Sequence, residues 1–265
     1  MPSVSRKSFL TSLAAAAFTA VSRSGAQQAT MADNAIGSVA AVKGGCHVVR
    51  SDRQFTLTAG NEIFRNDLLQ TGHDGALGVA FDDETTLALG ANTRVTVNNF
   101  IYQDTGTGNA GLLQVARGTL TFFAGRVAKT GDMKIATPSA SLGIRGTTGV
   151  INVPASTTSS GAAGETRIKL YPDQDGTVGR IEIFGNDGGR LGLLSQGSTG
   201  LAVRLDAAAT RSLGQPRFTV AALQIAPIEL TRDRAELRQL ATVRTLGRQI
   251  IEIRRRGGAV PLLPR

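Results

Sequence analysis

Residues 36–204 follow a period of two almost throughout. Short runs of β-branched and apolar residues alternate with polar ones, and glycine, asparagine or aspartate interrupts them every eight to twelve positions. Such alternation is typical of β-strands with one buried face, and the interrupting residues favour turns. No helical pattern of ten residues occurs before Arg217. The sequence therefore predicts an all-β body of many short strands, either a β-sandwich or a short β-solenoid.

A second β-rich segment, residues 165–215, follows a small polar stretch at 154–161. Within it, Asn186–Gly189 separates two apolar runs and favours a tight hairpin turn, because asparagine, aspartate and glycine tolerate a positive φ. We expect this segment to extend the sheet system of the first.

Beyond Pro227 the period changes, and residues 228–256 predict one basic, amphipathic, C-terminal α-helix. Its apolar residues recur every three or four positions and form a single stripe, which consists of Leu237, Leu240, Val243, Leu246, Ile250 and Ile253. An isolated helix of roughly 25 residues is only partly stable in water, so the stripe needs a surface to dock on. Docking on the β body is the favoured interpretation. The alternatives are self-association through the helix, a partner protein and an anionic membrane surface.

The net charge of the 265-residue chain is +9, which raises the question of nucleic-acid binding. The charge is +3 in residues 1–29, zero in 30–215 and +6 in 216–265. A nucleic-acid-binding protein concentrates basic residues on its folded body, together with stacking aromatics. Here the body is neutral and only 5% of residues are aromatic. We therefore expect no nucleic-acid partner.

Residues 1–29 predict a bacterial export signal. Arg6 and Lys7 are followed by an apolar stretch from Leu13 to Val21 and by small residues up to Ala26. The apolar stretch is too short to span a bilayer as a stable helix. The residues around Arg6 and Lys7 resemble a twin-arginine signal, with the general secretory route as the alternative. We expect a periplasmic or secreted mature chain without a transmembrane segment.

Several motifs of the body occur in the order in which they occur in the FecR domain. They include Gly37–Val39, Asn66–Gly72, Phe81–Asp83, Gly118–Leu120 and Ala136–Thr147. Residues 36–153 therefore resemble that family, and its motif falls here on Asp67, Thr71, Gly72, Thr137, Pro138, Gly143, Ile144, Arg145, Gly146 and Thr147. Full regulators of the family begin with a cytoplasmic anti-sigma segment and a transmembrane helix, where this chain has an export signal. The resemblance implies a stand-alone, exported β domain used for binding, sensing or envelope scaffolding.

The chemistry of the motif favours a structural role. Pro138 lacks a backbone N–H and extends the preceding residue, so Thr137–Pro138 should end a strand. Gly143 and Gly146 bracket Arg145, whose planar guanidinium can pair bidentately with a carboxylate. We expect Asp67 to be the partner of Arg145 in a structural ion pair.

Residues of catalytic type are few. Cys46 and His47 are neighbours on a strand and should face opposite sides, which disfavours a thiolate–imidazole pair. The GxGxxG motif at 106–111 leads into a strand and not a helix, so we interpret it as a loop. Asp173–Gly176 resembles a fragment of a calcium loop but favours a turn. We therefore predict no catalytic residue, cofactor or metal site.

These observations lead to one preferred function and two alternatives. The preferred function is a non-enzymatic, exported FecR-domain protein that binds or senses an envelope protein or polysaccharide, or transduces a signal. The first alternative is a structural scaffold of the cell envelope. The second is an enzyme acting on envelope polysaccharide, which would need Asp82, Asp83 and Glu84 to line a cleft.

Overall fold

The computed structural model describes residues 34–106, 108–155, 164–206 and 217–256. The export signal predicted at 1–29 lies outside the described residues. The described part of the chain contains seventeen strands and two helices. In chain order they are β1 (Gly37–Lys43), β2 (Cys46–Arg50), β3 (Arg53–Thr56), β4 (Glu62–Ile63), β5 (Leu68–Thr71), β6 (Ala76–Phe81), β7 (Thr86–Leu89), β8 (Arg94–Ile101), β9 (Ala110–Phe123), α1 (Val127–Thr130), β10 (Asp132–Ala136), β11 (Ser141–Arg145), β12 (Thr148–Val153), β13 (Thr166–Tyr171), β14 (Arg180–Phe184), β15 (Arg190–Leu194), β16 (Thr199–Leu205), β17 (Phe218–Ala222) and α2 (Pro227–Arg255).

The strands pair in two runs that share β9. Sheet A has the order β4-β1-β6-β7-β9-β12-β13-β16-β17. Sheet B has the order β3-β2-β5-β8-β9-β10-β11-β14-β15. Strand β9 passes from sheet B to sheet A near Gly118, where φ is +98° and a Cβ would lie 2.4 Å from the Cα of Thr93. This crossing therefore requires glycine.

One hydrophobic core draws side chains from both sheets, among them Val39 and Phe122 from sheet A and Val48 and Leu113 from sheet B. The predicted period of two is seen in strands such as β10 and β14, where alternate residues are buried, whereas β6 is buried on both faces because α2 covers its outer side. The all-β body and the C-terminal helix are confirmed. The choice between a sandwich and a solenoid stays a prediction.

Helix α2 docks on the outer face of sheet A, against strands β1, β6, β7 and β9. Three residues of the predicted stripe are buried, namely Leu240, Val243 and Ile250. The other three, Leu237, Leu246 and Ile253, are half-buried. Docking on the chain's own β body, the favoured interpretation, is confirmed. No described helix is long and apolar enough to cross a membrane.

Small residues on the outer face of β6 let the helix approach the sheet. A Cβ at Gly78 would lie 2.6 Å from a methyl carbon of Val243, and a Cβ at Gly247 would lie 2.2 Å from the Cβ of Ala80. Strand β6 therefore places large residues in the core and small ones under the helix, because its side chains alternate between the two faces.

Replacing Gly247 with leucine is expected to lower the free energy of unfolding by about 1–3 kcal/mol, because the new side chain overlaps Ala80 and forces the helix outward. Thermal denaturation followed by circular dichroism measures the change. Gly143→Ala in β11 is the control, since the nearest atom to its new Cβ lies 3.8 Å away. Equal melting temperatures for Gly247→Leu and the wild type would contradict this close packing.

Candidate functional site

A buried ion pair fixes the N-terminal half of α2 to β13. Lys169 Nζ and Tyr171 OH both donate to Asp233 Oδ2, each at 2.5 Å. Lys169 is only 2% exposed and Asp233 only 3%. Burial, reinforced by the hydrogen bond to Asp233, raises the pKa of Tyr171 far above its usual range, so the phenol remains a donor. Lys169, Tyr171 and Asp233 are called the clamp below.

Two further acidic residues of the helix contact the sheet on either side of the clamp. Glu229 pairs with Arg167 of β13, and Glu236 accepts a hydrogen bond from the Thr121 hydroxyl at 3.1 Å. The sequence reasoning missed this set. A signal was present, because Glu229, Asp233 and Glu236 recur at intervals of four and three, like the apolar stripe that follows.

A groove of about 400 Å³ lies beside the same half of α2. Small residues of the sheet line it together with polar residues of the helix, including Ala41, Gly78, Ala88, Arg232, Glu236 and Gln239. Glu236 is its only carboxylate among the described lining residues, and burial raises the pKa of this side chain. Mixed apolar and polar lining is typical of small-molecule and peptide sites. The groove between sheet A and α2 is therefore a candidate binding site.

Because the pKa of Glu236 is raised, the stability of the fold should depend on pH. A folded-state pKa above the unfolded value means that protonated Glu236 favours folding; this stability is present below the unfolded pKa and is lost as the pH rises through the folded pKa. Glu236→Gln keeps a neutral acceptor for Thr121. We expect the melting temperature of the variant, relative to the wild type, to be higher at pH 7 than at pH 4.

Glu252→Gln, on an exposed part of the same helix, is the control for the Glu236 comparison. Melting temperatures of the three proteins across this pH range make the measurement. A difference between Glu236→Gln and the wild type that does not change with pH would contradict the effect of burial.

The C-terminal half of α2 is held by arginines that pair with acidic residues of the body. Arg248 contacts Glu84 at 3.0 Å, and Arg254 contacts Asp82 at 3.1 Å. Asp83 between them is fully buried and accepts hydrogen bonds from the Thr85 hydroxyl and from two backbone N–H groups. The fold thus uses each of the three carboxylates as a structural contact, which disfavours their use as the paired carboxylates of a polysaccharide hydrolase.

The first residue of the FecR-like motif, Asp67, pairs with a different arginine from the one predicted. Arg50 Nε and Nη2 both lie 2.7 Å from the Asp67 carboxylate, which also accepts from Phe64 N at 2.9 Å. Asp67 is fully buried, and the Arg50 guanidinium lies 4.2 Å from the centre of the Phe64 ring. The predicted pair of Asp67 with Arg145 is wrong, because β2 pairs with β5 and brings Arg50 next to Asp67.

Arg145 lies at the end of β11, where Asp132 is 3.5 Å away and the Gly131 carbonyl accepts a hydrogen bond at 3.3 Å. Its side chain is one-third exposed. The glycine at 146, with a φ of +53°, turns the chain directly after it, whereas Gly143 lies inside β11. The two glycines therefore have different roles, a turn in one case and a strand position in the other.

The remaining motif residues lie at strand ends and turns. Thr71 donates to the Gly90 carbonyl at 2.6 Å and accepts from Thr93 N at 2.9 Å, with Gly72 directly after β5. Thr137 N and its hydroxyl both donate to the Ala140 carbonyl, closing a turn around Pro138 after β10. The expected strand end at Thr137–Pro138 is confirmed. Ile144 and Thr147 are buried.

The residues that the sequence analysis considered for catalysis, cofactor binding or metal binding lie in strands and turns. Cys46 is buried on the inner face of β2, where burial raises the pKa of its thiol, and His47 lies half-buried on the opposite face. Of the predicted loop at 106–111, Thr107 lies outside the described residues, and Ala110 and Gly111 already belong to strand β9. Asp173 and Gly176 form a backbone turn. No group of three or more histidine, cysteine, aspartate or glutamate residues in the described ranges is arranged to hold a metal ion.

The FecR protein family matches residues 67–170. This part of the chain is similar to the FecR domain. The match begins at Asp67, which Arg50 binds, and ends within β13, beside the clamp residues Lys169 and Tyr171. It thus starts and ends later than the 36–153 expected from the motifs. No curated protein matches the sequence.

Two similar solved structures are crystal structures of a candidate anti-sigma factor from Parabacteroides distasonis ATCC 8503. Each is 11% identical to this chain, with a TM-score of 0.39. Each alignment covers 58% of this chain and 59% of that protein. The chain therefore spans less than two thirds of the length of these relatives.

Proposed function

We propose that this FecR-domain protein is an exported, non-enzymatic binding or sensing module that takes part in signal transduction at the bacterial envelope. The observation that carries the proposal is the FecR match over residues 67–170. The basic, apolar and small-residue order of 1–29 supports export. The structural use of Asp82, Asp83 and Glu84 supports a role in binding and not in hydrolysis.

The groove beside α2 offers a place where a ligand could act on the fold. Its helix wall carries Glu236 and Gln239, and the same helix is tied to the sheet through the clamp. A ligand that fills the groove would contact the helix and the sheet together. Binding there would therefore change how firmly α2 is held, which is the physical requirement for a sensor.

Cell fractionation tests the export part of the proposal. The full chain, with a C-terminal tag, is expected in the periplasm or medium and shortened at its N-terminus. A variant with both Arg6→Gln and Lys7→Gln should stay full-length in the cytoplasm, because the basic start of the signal is lost. Arg23→Gln is the control and should still be exported. A wild-type chain that stays unprocessed in the cytoplasm would overturn this part.

Transcript profiling tests the signalling part. Deleting the gene is expected to change a defined set of transcripts, and the wild-type gene should restore them. The Arg6→Gln/Lys7→Gln variant should fail to restore them, since the module would be on the wrong side of the membrane. A deletion that changes no transcripts, or an unexported variant that restores all of them, would count against envelope signalling.

A further inference from the structure

Charge is distributed unevenly over the neutral body. Strands β2, β3, β5, β8 and β9, which are neighbours in sheet B, contain no aspartate or glutamate. They contain four arginines and one histidine, namely Arg50, Arg53, Arg94, Arg117 and His47. The zero net charge of residues 30–215 therefore conceals an acid-free part of one sheet.

Three pairs of arginines stand directly opposite each other on neighbouring strands of sheet B, an arrangement that is destabilising unless acids neutralise it. Arg50 opposes Arg53, and Asp67 binds Arg50. Arg145 opposes Arg180, and both have carboxylates nearby, in Asp132 at 3.5 Å and Glu182 at 3.8 Å. The fold thus neutralises two of the three pairs.

The third pair, Arg94 and Arg117, differs from the other two. Both side chains are exposed, and in the described part of the chain neither has a carboxylate within 4.0 Å. Both lie inside the residues that match the FecR family. Two exposed arginines at paired register positions, without an acid, can share an anionic group supplied from outside, since arginine binds carboxylates bidentately.

The surroundings of this pair include amide, hydroxyl and imidazole groups. Directly paired residues project to the same side of a sheet, so Gln70 and His47 continue the row from Arg94 across β5 and β2. Thr96 and Gln114 form the adjacent register pair. The Nδ1 atom of His47 is buried without a hydrogen-bond partner in the described structure. The row therefore offers donors and acceptors for hydroxyl groups beside the two cations.

We infer that this outer face of sheet B, centred on Arg94 and Arg117, binds an acidic polysaccharide through its uronate carboxylates and sugar hydroxyls. The arginines would bind the carboxylates, and Gln70, Thr96 and Gln114 the hydroxyls. This inference names a class of partner for the proposed envelope module. It rests on the proposed export only because the protein must leave the cytoplasm to reach a polysaccharide of the envelope.

The composition of the face argues against other anionic partners. Among the described residues, the row from His47 to Arg117 and the adjacent row from Val49 to Gln114 contain no phenylalanine, tyrosine or tryptophan on which nucleic-acid bases could stack. Near its centre the apolar residues Val49 and Leu68 are half-buried, so no exposed apolar residue is available there to insert into a lipid surface. A polymer that carries both carboxylates and many hydroxyls matches the side chains that are present.

Isothermal titration calorimetry with the purified full chain tests the inference directly. The probes are alginate oligosaccharides, which are polyuronates, and dextran of similar size, which is neutral. We expect binding to alginate that weakens with added salt, and no binding to dextran. The double variant Arg94→Gln/Arg117→Gln should bind alginate about tenfold more weakly or worse, because it loses both charge-assisted contacts.

The matched control is Arg180→Gln/Arg190→Gln, which removes the same charge from exposed positions on β14 and β15 of the same sheet. It should bind like the wild type. Equal weakening in both double variants would overturn the inference in favour of a general charge effect. So would dextran binding, absence of alginate binding, or tighter binding to phosphatidylglycerol vesicles than to alginate. The assay is done in solution and does not depend on where the protein is located in the cell. Alginate binding can therefore fail while export is confirmed, and export can fail while alginate binding is confirmed.

Discussion

Replacing Asp233 with alanine is expected to lower the free energy of unfolding by about 3–5 kcal/mol, the largest loss of any single change on α2. The substitution leaves the ammonium of Lys169 buried without a counter-charge and removes the acceptor of the Tyr171 hydroxyl. Neither group can reach water without moving the helix, because Lys169 is only 2% exposed. Urea denaturation followed by circular dichroism and tyrosine fluorescence measures the loss.

Two further variants show whether the clamp is the cause. Glu252→Ala removes an exposed carboxylate from the same helix and should change the free energy of unfolding by less than about 0.5 kcal/mol. The triple variant Lys169→Met/Tyr171→Phe/Asp233→Leu replaces the clamp with apolar side chains and should recover most of the loss, since it leaves no buried polar group of the clamp unsatisfied and a buried ion pair contributes little beyond its well-packed apolar replacement. A loss below about 1 kcal/mol for Asp233→Ala would show that the clamp does not form in solution.

The local parts of the fold were predictable because each depends on neighbours in sequence. The alternation of β6 and β13 marks their buried faces, and α2 was predicted at 228–256 against an observed Pro227–Arg255. The sequence also predicted that the helix docks on some surface, since a long apolar stripe needs one. It did not predict which surface, because nothing in the sequence distinguishes Gly78 and Ala80 of β6 from small residues of other strands.

The contacts between distant segments could not be read from the order of the residues. The sequence offers many arginines as possible partners of Asp67. Arg50 is the partner because β2 pairs with β5, which brings Arg50 close to Asp67. The same limit applies to charge. Summing residues 30–215 gives zero, while strand pairing collects the acid-free strands on one part of sheet B. The net charge of a segment therefore says little about the surface that it forms.

The second large effect is expected at Asp67. Changing it to alanine should lower the free energy of unfolding by about 3 kcal/mol, because Phe64 N loses its acceptor and the bidentate pair between the buried Asp67 and the partly exposed Arg50 is lost. Arg50→Ala should have a similar effect for the opposite reason, since it leaves the buried carboxylate of Asp67 without its cation. Urea denaturation of both variants measures these losses.

Arg145→Ala is the contrasting change within the same motif. Its side chain is one-third exposed and its nearest carboxylate, Asp132, lies 3.5 Å away and is itself half exposed. Such a pair contributes little, so the variant should lose less than about 1 kcal/mol. A loss at Arg145 as large as that at Asp67 would mean that the motif arginine has the structural role that the fold gives to Arg50. The ratio of the two losses therefore decides whether Arg50 or Arg145 contributes more to the stability of the fold.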